Sequence, residues 1–216
     1  MGAVVTALIT VLLVDDHAVV REGYRRLLER DATIQVVGEA ANAGEAYERA
    51  ATFEPQVIVM DIALPGVSGI EATRRILARR PQQCILMFSM HDDAIFASRA
   101  LDAGARGYVS KASAPEVLVD AISAVARGER YLSPDVETGI AQQTSFQAKS
   151  LVNTLSAREF EVLRLLARGE TVRGIGEKLG LSEKTVANHQ SAIREKLGAR
   201  NGVQLARAAA ELGLSL

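Results

Sequence analysis

The chain has 216 residues, 48% hydrophobic and 24% charged, enough apolar content for a packed core in one large domain or two small ones, which excludes a disordered chain. The single cysteine, Cys84, excludes an internal disulfide, so a reducing cytoplasm is the natural compartment. The bland net charge of −1 hides a split: residues 1–146 carry 14 Lys+Arg against 19 Asp+Glu, the remainder 11 against 7, so only the C-terminal part is built to face something anionic.

Residues 3–14 are apolar but short for a membrane span, lack a basic start and run straight into Asp15-Asp16. They read as a few disordered residues leading into a first strand at 9–14. No other segment looks transmembrane, and a soluble protein with no membrane partner is expected. Further strand-like runs follow at 35–40, 57–60, 84–89 and 107–110. Helix-like stretches lie between them at 18–29, 43–51, 69–78, 93–103 and 114–126. Val20, Tyr24, Leu27 and Leu28 give the first helix its apolar stripe. Ser113-Ala114-Pro115-Glu116 offers the last of these helices a capping serine, an early proline and an acid. Cys84 opens the fourth strand, as either a small core residue or a reactive thiol.

Five strands alternating with five helices imply a parallel sheet with helices on both faces, covering 9–128. Beyond it, residues 131–135 suggest a turn and 135–142 a short helix. Residues 142–153 are polar and weakly patterned, so 129–150 reads as a short helix and linker. Four helices fill 151–216. Ser156 and Glu159 form a capping box for the first, which runs through Leu166 and stops at Gly169. The others lie at 172–179, 182–197 and 202–212.

The third strand is an uninterrupted apolar run, Val57-Ile58-Val59-Met60, ended by Asp61. Such a strand is buried on both faces, so its terminal charge lies at the carboxyl edge, where open α/β sheets place their ligand sites. Asp15-Asp16 ends the first strand at the same edge, Ser89 the fourth, and Lys111 the fifth. Three carboxylates repel unless a cation holds them, and hard oxygen ligands suit Mg²⁺. The expected ligands are Asp16, Asp61 and the backbone carbonyl of Ala63, with Asp15 acting through water. A set of three acids, one hydroxyl and one ammonium suits phosphoryl transfer: Asp61 attacks as a carboxylate nucleophile and becomes an acyl phosphate, while Lys111 and Ser89 contact its oxygens. His17 and His91 adjoin the site but stand too far apart for a metal motif and read as solvated loop residues. By position alone, His91 and Ala63 are expected to set how readily water reaches the acyl phosphate. Unchanged autodephosphorylation in His91→Ala and Ala63→Asn proteins dismisses that idea.

In the C-terminal part, residues 172–179 and 182–197, joined at Gly180-Leu181, have the form of a helix-turn-helix. Lys184, Thr185, Asn188 and Ser191 share one face of the second helix, where they would enter the major groove. Val186, Ile193 and Leu197 point inward. Arg194, Lys196 and Arg200 are placed to reach backbone phosphates. The expected partner is double-stranded DNA.

Asp15-Asp16, Asp61 with Leu64-Pro65-Gly66 and Gly69, Ser89 and Lys111 together resemble the receiver domain of response regulators. Leu155-Ser156-Ala157-Arg158-Glu159, Gly180-Leu181-Ser182-Glu183-Lys184-Thr185-Val186 and Lys196-Leu197-Gly198 resemble the LuxR-type DNA-binding domain. The pair is similar to a two-component response regulator of the NarL/FixJ type over nearly the whole chain. The resemblance implies a flavodoxin-like receiver and a four-helix output domain, with a sensor histidine kinase phosphorylating Asp61. It also implies Ser89 moving toward the phosphoryl group, Tyr108 turning inward behind it as the switch aromatic, and a homodimer when phosphorylated. The final helix is a plausible dimer surface. Two departures stand out. Ala187, on the groove-facing surface, replaces a frequent lysine. Arg173-Gly174-Ile175-Gly176 replaces a Lys-Glu-Ile-Ala pattern, and two helical glycines cost about 1 kcal/mol each. The expectation is a phosphorylation-controlled transcription regulator rather than an enzyme. Two rivals remain: a receiver that only dimerises, and a small-molecule phosphotransferase or phosphatase working through Asp61.

Overall fold

A computed structural model describes residues 8–90, 94–142, 155–211 and 214. The chain divides into two compact units, Met1–Gln143 and Thr144–Leu216.

In the first unit, runs of Val, Ile, Leu and Met form strands because branched side chains pack well on a pleated surface. The elements alternate along the chain: β1 (Ile9–Val14), α1 (Ala18–Leu28), β2 (Ile34–Ala40), α2 (Ala43–Phe53), β3 (Val57–Met60), α3 (Gly69–Arg79), β4 (Cys84–Ser89), α4 (Ala94–Asp102), β5 (Gly107–Ser110), α5 (Pro115–Ala126), β6 (Tyr131–Leu132) and α6 (Pro134–Gln142). The strands make one parallel sheet in the order β2-β1-β3-β4-β5-β6. Its order reverses beside β1, the switch point where such folds carry their sites. Val11, Leu13, Val57, Val59, Leu86, Phe88 and Val109 pack against Leu28 of α1 and Leu118, Ile122 and Val125 of α5. Alternation sends Leu12, Ile58, Met60, Ile85 and Met87 to the opposite face, where the Thr73 hydroxyl of α3 donates to Met87 Sδ.

The structure corrects several expectations. The sheet has six strands, not five, because Tyr131–Leu132 pairs with Gly107 and Tyr108 instead of forming a turn. Gly107 permits that close approach: a Cβ there would lie 2.8 Å from the carbonyl oxygen of Tyr131. With Ser133 and Val136 fully buried, β6 and α6 belong to the first compact unit, which therefore extends past residue 128. Ser113 does not cap α5. Ala114 occupies the cap position without a side-chain bond and Pro115 starts the helix, while the Ser113 hydroxyl meets Asp135 Oδ1 at 3.3 Å. The segment before residue 8, His91 and the linker at 143–154 lie outside the described residues.

The second unit is helical: α7 (Ala157–Ala167), α8 (Val172–Leu179), α9 (Glu183–Lys196) and α10 (Gly202–Glu211). The capping box is present. The Ser156 hydroxyl accepts from the Glu159 amide, and Glu159 accepts from the Ser156 amide at 2.6 Å. Phe160, Leu163, Ile175, Val186 and Ile193 form its buried centre. Ser182 caps α9, and Gly180, at φ +63°, closes α8 in the left-handed region that glycine tolerates. The two unusual glycines separate. A Cβ on Gly174 would meet only side-chain ends, whereas one on Gly176 would lie 2.7 Å from the carbonyl oxygen of Leu181. Gly176 thus buys a tight turn at its conformational cost.

Candidate functional site

The register of the sheet assembles the acidic site. Val14 of β1 pairs with Met60 of β3, so Asp15 and Asp61 leave adjacent strands side by side. The Asp61 amide donates to the Val14 carbonyl at 2.9 Å. Ser89 of β4 pairs with Ser110 of β5, and the Lys111 amide donates to the Ser89 carbonyl at 2.7 Å. From there the Lys111 ammonium reaches Asp61 Oδ2 at 2.7 Å and Asp15 Oδ2 at 2.5 Å. All three side chains are less than 10% exposed.

The loop after β3 holds Asp61 in place. Asp61 Oδ1 accepts from the Ala63 amide at 3.3 Å, and the Gly69 amide donates to the Ile62 carbonyl at 3.0 Å. Gly66 lies at φ +75°. A Cβ on Gly69 would fall 1.8 Å from the Asp61 carbonyl oxygen, so only glycine lets α3 begin this close to the acid.

Burial pushes the Asp61 carboxyl above the ordinary carboxylate range, and the Lys111 ammonium only partly opposes it. For Lys111, burial works against the charge, but Asp61 and Asp15 outweigh it and its pKa rises. The pocket therefore holds the Lys111 ammonium firmly and the Asp61 carboxylate under electrostatic load.

Of the expected residues, Asp15, Asp61 and Lys111 come into direct contact. Ser89 and Tyr108 are fully buried on the neighbouring strands. The Ala63 carbonyl belongs to the loop beside Asp61. Asp16 is the outward member of the pair, with its side chain 33% exposed. Sequence reasoning missed three neighbours of the acids and Lys111. Arg21 Nη1 donates to the Asp15 carbonyl at 2.5 Å while its Nε bonds Glu39. The Phe88 ring lies 5.7 Å from Lys111 Nζ. His17, read as a solvated residue, is turned onto the acids, with Nδ1 2.8 Å from Asp16 Oδ1. The arginine four residues into α1 was a legible signal; the histidine's orientation was not.

Asp15 and Asp61 share the Lys111 ammonium, while Asp16 stands at the outer rim with its carboxylate beside His17. Carboxylate oxygens and the loop carbonyl of Ala63 are hard donors of the kind Mg²⁺ takes. Such a pocket can accept a phosphoryl group on Asp61 and neutralise its oxygens.

In the helical unit, Lys184, Ala187, Asn188 and Ser191 are exposed along α9, as a groove-reading face requires. The Thr185 hydroxyl meets Ser182 at 2.7 Å, and the Ser191 hydroxyl donates to the Ala187 carbonyl at 3.0 Å. Arg200 is exposed and Arg194 half-buried. Lys196 is exposed and also ties the helices of this unit together. Its Nζ lies 2.6 and 2.8 Å from the Glu159 carboxylate, because the end of α9 packs over the start of α7.

Comparison with known proteins agrees with both halves. Residues 11–123 match the response regulator receiver domain, and 153–209 the luxR family of bacterial regulatory proteins. The response regulator UvrY of Escherichia coli K12 is 37% identical over 209 residues, 96% of each chain. A two-component response regulator of the LuxR family from Aurantimonas sp. SI85-9A1 is 50% identical, with a TM-score of 0.62 over 63% of this chain and 98% of that one. A structure of two RcsB dimers bound to two parallel DNAs is 28% identical, with a TM-score of 0.60 over 95% of this chain and 99% of that one.

Proposed function

Since the chain belongs to the NarL/FixJ-type response regulators of two-component systems, transcription regulators with a receiver and a LuxR-type DNA-binding domain, we propose that Asp61 is its phosphoacceptor and DNA binding its output. The observation that carries this reading is the Lys111 ammonium bridging Asp15 and Asp61 in a nearly closed pocket.

A carboxylate oxygen of Asp61 attacks the phosphorus of a phosphohistidine on the partner kinase. The P–N bond breaks, the imidazole departs, and an acyl phosphate remains. Lys111 neutralises the new phosphoryl oxygens, and the Ser89 hydroxyl contacts them as it moves toward the group. Asp15, Asp16, Asp61 and the Ala63 carbonyl would hold Mg²⁺, which when bound neutralises charge on the transferred group. Tyr108 follows Ser89 and biases the receiver between two states. The chemistry stays on the chain's own acid, which takes the phosphoryl group and later loses it to water.

Phosphorylation favours a homodimer, which multiplies the affinity of two weak DNA modules. The solved RcsB dimers on DNA support this assembly. Lys184, Thr185, Ala187, Asn188 and Ser191 lie toward base edges, while Arg194 and Arg200 lie toward phosphates. No helix among the described residues is long and apolar enough to cross a membrane, which is compatible with work on DNA in the cytoplasm.

The test incubates wild type and Asp61→Asn with a small phosphodonor and Mg²⁺, then measures acylation and affinity for genomic DNA fragments. Acylation of wild type alone, with tighter DNA binding, is expected. DNA affinity indifferent to acylation would leave the receiver a constitutive dimerisation module. Rapid phosphate turnover without DNA binding would make the chain a small-molecule phosphotransferase.

A further inference from the structure

The solvent side of the acidic pocket carries a donor that phosphoryl transfer does not use. His17 caps α1, and its backbone amide donates to Asp15 Oδ1 at 2.8 Å. The ring nitrogen of the same residue also faces the two acids. His17 Nδ1 stands 2.8 Å from Asp16 Oδ1 and 3.4 Å from Asp15 Oδ1. One ligand atom from each of Asp15, Asp16 and His17 lies within 4.8 Å of the other two.

The other cations nearby are committed elsewhere. Lys111 holds Oδ2 of Asp15 and of Asp61, and Arg21 is bonded to Glu39 and to the Asp15 carbonyl. Among the described residues, Asp16 has His17 as its only ion-pair partner. The imidazole is 69% exposed and the Asp16 side chain 33%, so an ion arriving from water reaches both. A ring nitrogen converts an all-oxygen set into a mixed one. Magnesium gains little from imidazole, whereas a borderline ion such as Zn²⁺ gains much.

We propose that Asp16, His17 Nδ1 and Asp15 form a site for a borderline divalent transition-metal cation, with Zn²⁺ the ion of choice. The site shares Asp16 with the magnesium pocket, so the two ions compete. Zn²⁺ held on the outer side withdraws Asp16 from the pocket and lowers acylation of Asp61 at a fixed Mg²⁺ level. The proposal rests on reading the pocket as a cation site, and it adds which residue sets the preference between ions.

The test titrates the full-length protein with Zn²⁺ and, separately, with Mg²⁺, by calorimetry and histidine NMR. The chain has only three histidines, so each imidazole signal can be assigned by substitution. His17→Ala is expected to weaken Zn²⁺ binding by about ten-fold or more while Mg²⁺ affinity stays within about two-fold. In wild type, the His17 signal should shift on Zn²⁺ addition and recover as Mg²⁺ is raised. Unchanged Zn²⁺ affinity in His17→Ala overturns the proposal, as does a shift confined to His91 or His189. An equal loss of both ions overturns it too, since His17 would then only position Asp16. Failure of wild type to bind Mg²⁺ at all would instead defeat the underlying pocket reading.

Discussion

Replacing Lys111 by methionine removes the ammonium and keeps the stem's volume. Two buried carboxylates are then left facing each other. At an effective dielectric of about 20, opposite charges 2.7 Å apart attract by about 6 kcal/mol, and Lys111 has two such partners. The hydration lost when the ammonium is buried offsets most of this. Removing one member of such a cluster costs about 3–5 kcal/mol. The loss must also depend on pH. Burial already holds the Asp61 pKa above its ordinary value, and without Lys111 it rises further. A folded state with a raised acid pKa takes up a proton as pH falls. The variant should therefore be weakest near neutral pH and recover as the solution is acidified through the raised value. Urea unfolding of the full chain in the absence of divalent ions, followed by circular dichroism across that range, measures both effects. A loss below about 1 kcal/mol near neutral pH, or one that does not shrink on acidification, would refute the electrostatic account of the pocket.

Other substitutions address the scaffold and the output. Gly69→Ala forces a Cβ into the Asp61 carbonyl and should cost about 3 kcal/mol in thermal or urea unfolding, with phosphodonor labelling of Asp61 lost. Glu159→Gln should destabilise the helical unit by about 1–2 kcal/mol near neutral pH. Burial pushes the Glu159 carboxyl up, but Lys196 and the Ser156 amide outweigh it and its pKa lies below the ordinary range. Its contribution is thus present above that range and lost as pH falls through the lowered value, so the gap between variant and wild type should close only in acid. Arg200→Ala should weaken binding to all duplexes similarly and reduce the salt slope by about one, as read by fluorescence anisotropy over a salt series.

Periodicity and composition carried most of the fold. Val57–Met60 has no polar residue to place it anywhere but the sheet centre, and the acid after it follows in register. The cap at Ser156 was legible for the same local reason, since its bonds span only three residues. What stayed hidden depends on contacts between distant segments. Nothing in Tyr131-Leu132 distinguishes a turn from a strand until Gly107 provides a flat neighbour. Lys196 looks like any basic residue near a helix end, and only packing against α7 gives it Glu159. The direction of the His17 ring is a rotamer choice that spacing alone does not specify.

The brevity of β6 has a consequence for how the protein keeps company with itself. An outer strand of two residues presents almost no row of bare amides and carbonyls to a passing chain. Polypeptides that would otherwise graft a foreign strand onto this margin find it already truncated. At this margin backbone templating, the route that leads to fibres, is thereby disfavoured, whereas the opposite margin, β2, keeps a strand of seven residues.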